Sequence, residues 1–171
     1  MFKIREVQKE TFERVKNAIL KLLKIHGNNR ITHKALNWFS KLQQQDINDK
    51  ILLVIAIKNN NLIGVCLFYE YGIKEAFITV HSNFRNKNVG KKLLEYCISR
   101  LPKIYTRIAT DNIASLKLAF SCNLVAFDIF KGPTGKPTLI LGAKDWSKDD
   151  VTKIKEEWTW KKNTKKIPKK K

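Results

Sequence analysis

The chain has 171 residues, 43% hydrophobic and 10% aromatic, enough apolar material for one domain with a real core and too little length for two full domains. Thirty-four Lys and Arg against fifteen Asp and Glu give a net charge of +19, a balance that attracts polyanions from a distance. Seven of the lysines lie in the last eleven residues, KKNTKKIPKKK, which leaves +12 on residues 1–160 and excludes a basic tail as the whole source of the charge.

Phe2 to Val7 reads as a first strand, and Thr11 to Ile25 carries Phe12, Val15, Ile19, Leu22 and Leu23 at helical spacing until Gly27-Asn28-Asn29 stops it. Thr32 opens a second helical segment with Leu36, Trp38, Phe39 and Leu42, which fades into Gln43-Gln44-Gln45. Ile51 to Ile57 and Leu62 to Tyr71 read as strands joined across Asn59-Asn60-Asn61, since Asn accepts turn geometry. A turn at Gly72 leads to a further strand, Glu75 to Val80. Val89 to Leu101 is an amphipathic helix with Val89, Leu93, Leu94, Cys97 and Leu101 on one face, ended by Pro102. Ile104 to Ala109 is the next strand, Asp111 or Asn112 caps a short helix through Ser121, and Asn123 stops it. Leu124 to Phe130 and Thr138 to Leu141 follow as strands around the turn Gly132-Pro133-Thr134-Gly135, with Lys131 and Lys136 flanking it.

Ser147 begins a last helix with Asp150 as a capping-box partner and Val151, Ile154 and Trp158 on one face. Trp146, Trp158 and Trp160 stand near the lysine-rich end, where they either dock that helix on the domain or stack on bases. The predicted fold class is α/β (α+β): a mixed, mostly antiparallel central sheet with helices on both faces. Residues 1–142 form the domain, 143–160 a helical extension and 161–171 a basic disordered tail.

The longest apolar run, Ile51 to Ile57, is far too short to cross a bilayer, and the first ten residues lack the apolar core of a secretory signal. Cys66, Cys97 and Cys122 are odd in number, widely spaced and without a C-x-x-C pair. The expectation is a cytoplasmic protein with reduced, buried thiols, no metal site and no membrane contact.

The segment Ala76 to Leu94, AFITVHSNFRNKNVGKKLL, carries the chemistry. A strand feeding a loop whose N–H groups stand at a helix N-terminus is a seat for phosphate. The loop Arg85-Asn86-Lys87-Asn88-Val89-Gly90 resembles the R/Q-x-x-G-x-G/A signature of the GNAT acyltransferases. Asn88 replaces the first glycine of that signature, and Asn is the non-Gly residue that most readily adopts a left-handed conformation. Asn112-Ile113-Ala114-Ser115, at the family's distance, is similar to its N-x-x-A. The family's tyrosine then falls on Ala119 and its Gly-Phe on Asn123-Leu124. The resemblance covers residues 1 to about 142 and is strongest from Leu62 to Leu124.

That resemblance implies acetyl-CoA as cofactor, with its phosphates at Arg85, Lys87, Asn88, Val89, Gly90 and Lys91 and with Lys92 in reach. It places the pantetheine arm beside Asn112 and Ser115 and the acyl arm against the strand at Thr79 and Val80. An amine attacking the thioester needs a general base, for which Glu75 is the leading candidate and Glu70 the next. In the family the tyrosine protonates the departing thiolate. With Ala119 in its place, water or Ser121 is left to supply that proton, and a thiol pKa of about 8.5 makes the thiolate a tolerable leaving group. His81, at the loop entrance, is placed to relay a proton or is a plain loop residue, while His26 and His33 show no partner pattern. Lys131 and Lys136 are placed to meet an anionic substrate.

Three functions fit these readings. The first is acetyl-CoA-dependent N-acetylation of an amine, with a nucleic-acid-associated acceptor as its leading elaboration. The second is a GNAT-fold enzyme working on DNA or RNA through its basic surface and tail, similar to the phage DNA-modifying enzymes like Mom or to toxins that acetylate aminoacyl-tRNA. The third is a non-catalytic nucleic-acid-binding protein on an inherited fold, for which Ala119 is the argument.

Overall fold

The structure, a computed structural model, describes residues 1–158; Trp160 and the predicted tail at 161–171 lie outside the described residues. The elements are β1 (Lys3–Glu6), α1 (Phe12–His26), α2 (His33–Lys41), β2 (Ile51–Lys58), β3 (Asn61–Tyr69), β4 (Glu75–Val80), α3 (Val89–Arg100), β5 (Lys103–Ala109), α4 (Ile113–Ser121), β6 (Val125–Lys131), β7 (Pro137–Lys144) and α5 (Lys148–Trp158). Their order is the one the hydrophobic periodicity predicts. Thr32 caps α2 by accepting from the Ala35 N–H at 3.1 Å, and Asn59 and Asn60 take φ of 49° and 61° at the β2–β3 turn, the paired left-handed geometry of a tight hairpin.

The strands form two sheets, β1-β2-β3-β4 and β5-β7-β6, and every ladder is antiparallel. Side-chain alternation divides the first sheet between two cores. Leu53, Ile55, Val65, Leu67 and Phe77 face α1 and α2, where Phe12, Ile19, Leu23 and Phe39 are buried. Leu52, Val54, Cys66 and Phe68 face α3 and α4, against Val89, Leu93, Cys97 and Ala119. Covered on both faces, β2 reads in the sequence as an unbroken apolar run. The α3-side core also takes in Ile104 and Ile108 of β5 and Leu141 of β7, so it joins the two sheets.

Gly72 fixes where β4 and β5 approach. Its φ is +95°, and a Cβ there would stand 1.9 Å from the Tyr105 carbonyl oxygen, so only glycine lets the chain enter β4 against β5. Beyond that contact β4 and β5 share no ladder, and a cleft opens between them, lined on its two sides by Ala76 and Ile78 and by Thr106 and Ile108.

Helix α5 packs on the second sheet, where Val151, Ile154 and Trp158 meet Tyr105, Phe130 and Ile140, and Trp146 stacks on Phe127 with centroids 4.3 Å apart. The tryptophans thus dock the helix. The expected Ser147–Asp150 capping box does not form. The Asp150 carboxylate instead accepts from Lys103 Nζ at 2.7 Å and from the Tyr105 hydroxyl, which in turn accepts the Ser147 N–H at 2.8 Å. A buried phenol needs a partner more than an exposed helix end does. Burial, then the bond to Asp150, pushes the Tyr105 hydroxyl up to about 12. Cys66, Cys97 and Cys122 are buried free thiols. Among the described residues, no helix is long and apolar enough to cross a membrane.

Candidate active site

One end of the cleft is built from backbone. The His81 N–H donates to the Ile63 carbonyl at 2.9 Å, in register with Thr79 opposite Val65 and Phe77 opposite Leu67. Antiparallel alternation therefore ties the backbone of Thr79 to β3 and turns the N–H groups of Ile78 and Val80 toward the open edge. After a 3₁₀ turn at Ser82–Phe84, Asn86 and Asn88 are both left-handed, at φ 58° and 60°. Asn88 precedes α3 and its side chain caps nothing. The N–H groups of Val89, Gly90 and Lys91 thus leave the helix end with no acceptor among the described residues. Left-handed residues in such a turn gather N–H groups into an anion-binding concavity, and the positive end of α3 adds to it.

Gly90 keeps that end close-packed, since a Cβ there would stand 3.3 Å from Leu118 and 3.5 Å from Val80. Helix α4 supplies the opposite wall. Asn112 caps it, accepting from the Ser115 N–H at 3.4 Å, and Asn112, Ser115, Leu118 and Ala119 line the cleft. The methyl group of Ala119 leaves room where a larger side chain would intrude.

The other end is built from side chains. Glu75, at the head of β4, and Arg107, on β5, approach to 3.8 Å, each side chain 20% exposed. Burial pushes the Glu75 carboxyl up, against the opposing pull of the Arg107 guanidinium, the Ala76 N–H that donates to it at 3.2 Å, and Lys34. Arg107 lies over the ring of Trp158, 4.4 Å from its centroid. Arg30 lines the cleft and pairs with Asp111 at 2.8 Å, a carboxylate that also meets Lys136. A shielded carboxylate with raised proton affinity at one end and outward N–H groups at the other can seat an anionic carrier and take a proton from a nucleophile.

The acetyltransferase (GNAT) family profile matches residues 19–121, a span that holds β4, the α3 loop, β5 and α4. The chain belongs to the GNAT acetyltransferase family. As a member it is an N-acetyltransferase, and acetyl-CoA is its cofactor. No curated protein matches the sequence. Among solved structures, a GNAT acetyltransferase from Streptococcus pneumoniae superposes with a TM-score of 0.62 at 15% identity, covering 84% of this chain and 98% of that one. A variant of spermidine N-acetyltransferase from Vibrio cholerae gives 0.59 at 15%, covering 83% and 92%. The acetyltransferase yncA from Salmonella typhimurium, solved with acetyl-CoA, gives 0.58 at 16%, covering 84% and 93%. At these identities the likeness is one of fold.

This GNAT chain suits acetyl-CoA at the loop, where the outward N–H groups match phosphate, and along the cleft, whose walls are mostly apolar. Several residues, however, stand elsewhere than the resemblance implies. Arg85 donates to the His26 carbonyl at 2.6 Å, to Asn28 Oδ1 at 3.3 Å and to the Val80 carbonyl at 3.3 Å. It braces the loop against the negative end of α1. Thr79 is buried with its Oγ1 unpartnered and its side chain away from the cleft, so of the predicted strand pair only Val80 faces the open edge. Lys87 folds back on the Asn83 carbonyl at 2.9 Å, while Lys91 and Lys92 pair with Glu95 at 3.9 and 3.2 Å; these are exposed contacts of little strength.

Ser121 is exposed, its hydroxyl donates to the Leu118 carbonyl at 2.8 Å, and it is absent from the cleft lining. It is not placed to protonate a thiolate there. Glu70 faces Lys50 at 4.0 Å, whereas Glu75 faces the cleft-lining Arg107. Two arrangements escaped the sequence. His26 and His81 stack with centroids 3.9 Å apart, and burial, followed by the charges of His81 and Arg85, pushes the His26 imidazole down; no local spacing joins residues so far apart. Arg107 did leave a signal, as a lone charge inside the apolar strand IYTRIA.

Proposed function

We propose that this enzyme transfers acetyl to an amine that enters at the Glu75–Arg107 end, with Glu75 as general base. Acetyl-CoA supplies an acetyl group activated as a thioester. The N–H groups of Val89, Gly90 and Lys91, with Asn88 setting their direction, hold its phosphates, and Asn112 and Ser115 flank its arm. The Val80 N–H orients the acyl end. Glu75 takes the proton from the attacking nitrogen as that nitrogen bonds to the carbonyl carbon and the carbon–sulfur bond breaks. The thiolate takes its proton from water, because neither Ala119 nor Ser121 offers one inside the cleft. Because β7 runs to Lys144, we read the acyltransferase unit as ending there, two residues past the expected 142, with α5 (Lys148–Trp158) as its helical extension.

The observation that carries this reading is a shielded carboxylate, its proton affinity raised by burial, beside the cleft-lining Ala76 and Arg107. Glu75 accepts a proton only when ionised, so turnover falls as pH drops through its raised pKa. Glu75→Gln is expected to lower kcat by ~10²-fold or more and to abolish that acidic limb while acetyl-CoA still binds in calorimetry. A variant that keeps the wild-type profile overturns the assignment.

The charge supports a finer reading, an acceptor associated with nucleic acid, since +12 remains on residues 1–160. Retention on DNA or RNA is then expected to fall steeply between about 50 and 200 mM salt. Retention that ignores salt would remove this elaboration and leave the acetyl transfer standing.

A further inference from the structure

Arg107 is a guanidinium short of partners. It carries five N–H donors, yet among the described residues it donates no hydrogen bond: its closest carboxylate oxygen, on Glu75, stands 3.8 Å away, beyond hydrogen-bonding distance. One face of the guanidinium is covered by Trp158, and the side chain as a whole is 20% exposed and lines the cleft. A largely desolvated cation with unused donors is costly unless something enters to accept them. Among the described residues, Glu75 is the one anion that acts on it. Arg30 lines the same cleft, and Lys34 lies close enough to act on Glu75. Asp111, which holds Arg30, is itself shared with Lys136.

We infer that Arg107 is a specificity-determining residue that binds an oxyanion, carboxylate or phosphate, carried by the acceptor next to the amine that is acetylated. The inference rests on the acetyl-transfer reading above. A fork of N–H groups fits a planar carboxylate or a phosphate edge, and the Trp158 ring holds the fork flat. The amine of the same molecule then falls beside Glu75, so one pair of side chains on facing strands reads both ends of an amphoteric acceptor. Arg107 lies inside the segment that matches the family, whereas Trp158, which backs it, comes from α5 outside that segment. Diamines and polyamines, which present a second cation to Arg30, Lys34 and Arg107, are disfavoured.

The test uses the full chain and three probes that differ in one terminus: β-alanine, 2-aminoethyl phosphate and 1,3-diaminopropane. Acetyl-CoA is first titrated calorimetrically, and failure there overturns the cofactor site and with it the reading on which this inference rests. With cofactor binding intact, CoA release is expected to be at least tenfold faster in kcat/KM for one or both oxyanion probes than for the diamine, and the two oxyanions are ranked directly. Arg107→Met should raise KM for the preferred probe at least tenfold, erase most of its advantage over the diamine, and leave acetyl-CoA affinity unchanged. Arg107→Lys, which keeps the charge without the fork, should restore part of the loss and guards against misfolding of the methionine variant. Preference for the diamine, silence with all three probes, or a preference that survives Arg107→Met would each overturn the inference while the cofactor site stands.

Discussion

The two ends of the cleft are built by opposite means. At the α3 loop the donors are backbone N–H groups aimed by Asn86, Asn88 and the helix end, and the side chains nearby are either turned away or tied to one another. At the Glu75–Arg107 end the groups are side chains brought from two strands and backed by a third element, Trp158 of α5. A backbone seat depends on conformation and tolerates changes of side chain. A side-chain seat depends on identity and fails when one residue changes, which is why specificity is expected at the second end and cofactor binding at the first.

That contrast can be broken most directly at Gly90. Gly90→Asp sets a carboxylate against Leu118 and Val80 at the end of α3 where the phosphates are proposed to sit, and calorimetry should show acetyl-CoA affinity weakened by ~100-fold, about 2.7 kcal/mol. An unchanged affinity would mean the phosphates sit elsewhere. Tyr105→Phe probes the support of the other end. It strands the Ser147 N–H and one bond of Asp150, so thermal unfolding should show a loss of about 1–2 kcal/mol. Acceptor KM should rise as Trp158 loosens, with acetyl-CoA affinity unmoved. The smallest effect is expected from Asn88→Gly. Glycine adopts the same left-handed φ, so affinity for acetyl-CoA should stay within about threefold; a larger change would give the Asn88 side chain a role that the backbone reading denies it.

The same contrast explains what the sequence disclosed. The order of strands and helices was legible because alternation and helical spacing are local, as at Ile51–Ile57 and Val89–Leu101. The family was legible too, through the short signatures Arg85 to Gly90 and Asn112 to Ser115, and the left-handed Asn88 follows from what Asn tolerates. The acceptor end was only half legible. Glu75 could be named from its place on the strand before the loop, but its pairing with Arg107 arises because Gly72 lets two strands approach without a ladder. The brace formed by Arg85 was hidden for a related reason. Its partners, His26 and Asn28, come from the end of α1, and no spacing within the loop announces them.

The brace formed by Arg85 has one more consequence. Its guanidinium holds the Val80 carbonyl, the His26 carbonyl and Asn28 together, so contacts within the protein fix the shape of the loop. Association should then proceed in a single fast kinetic phase without a slow ordering step, and the entropy that a floppy loop would lose on capture has been surrendered during folding.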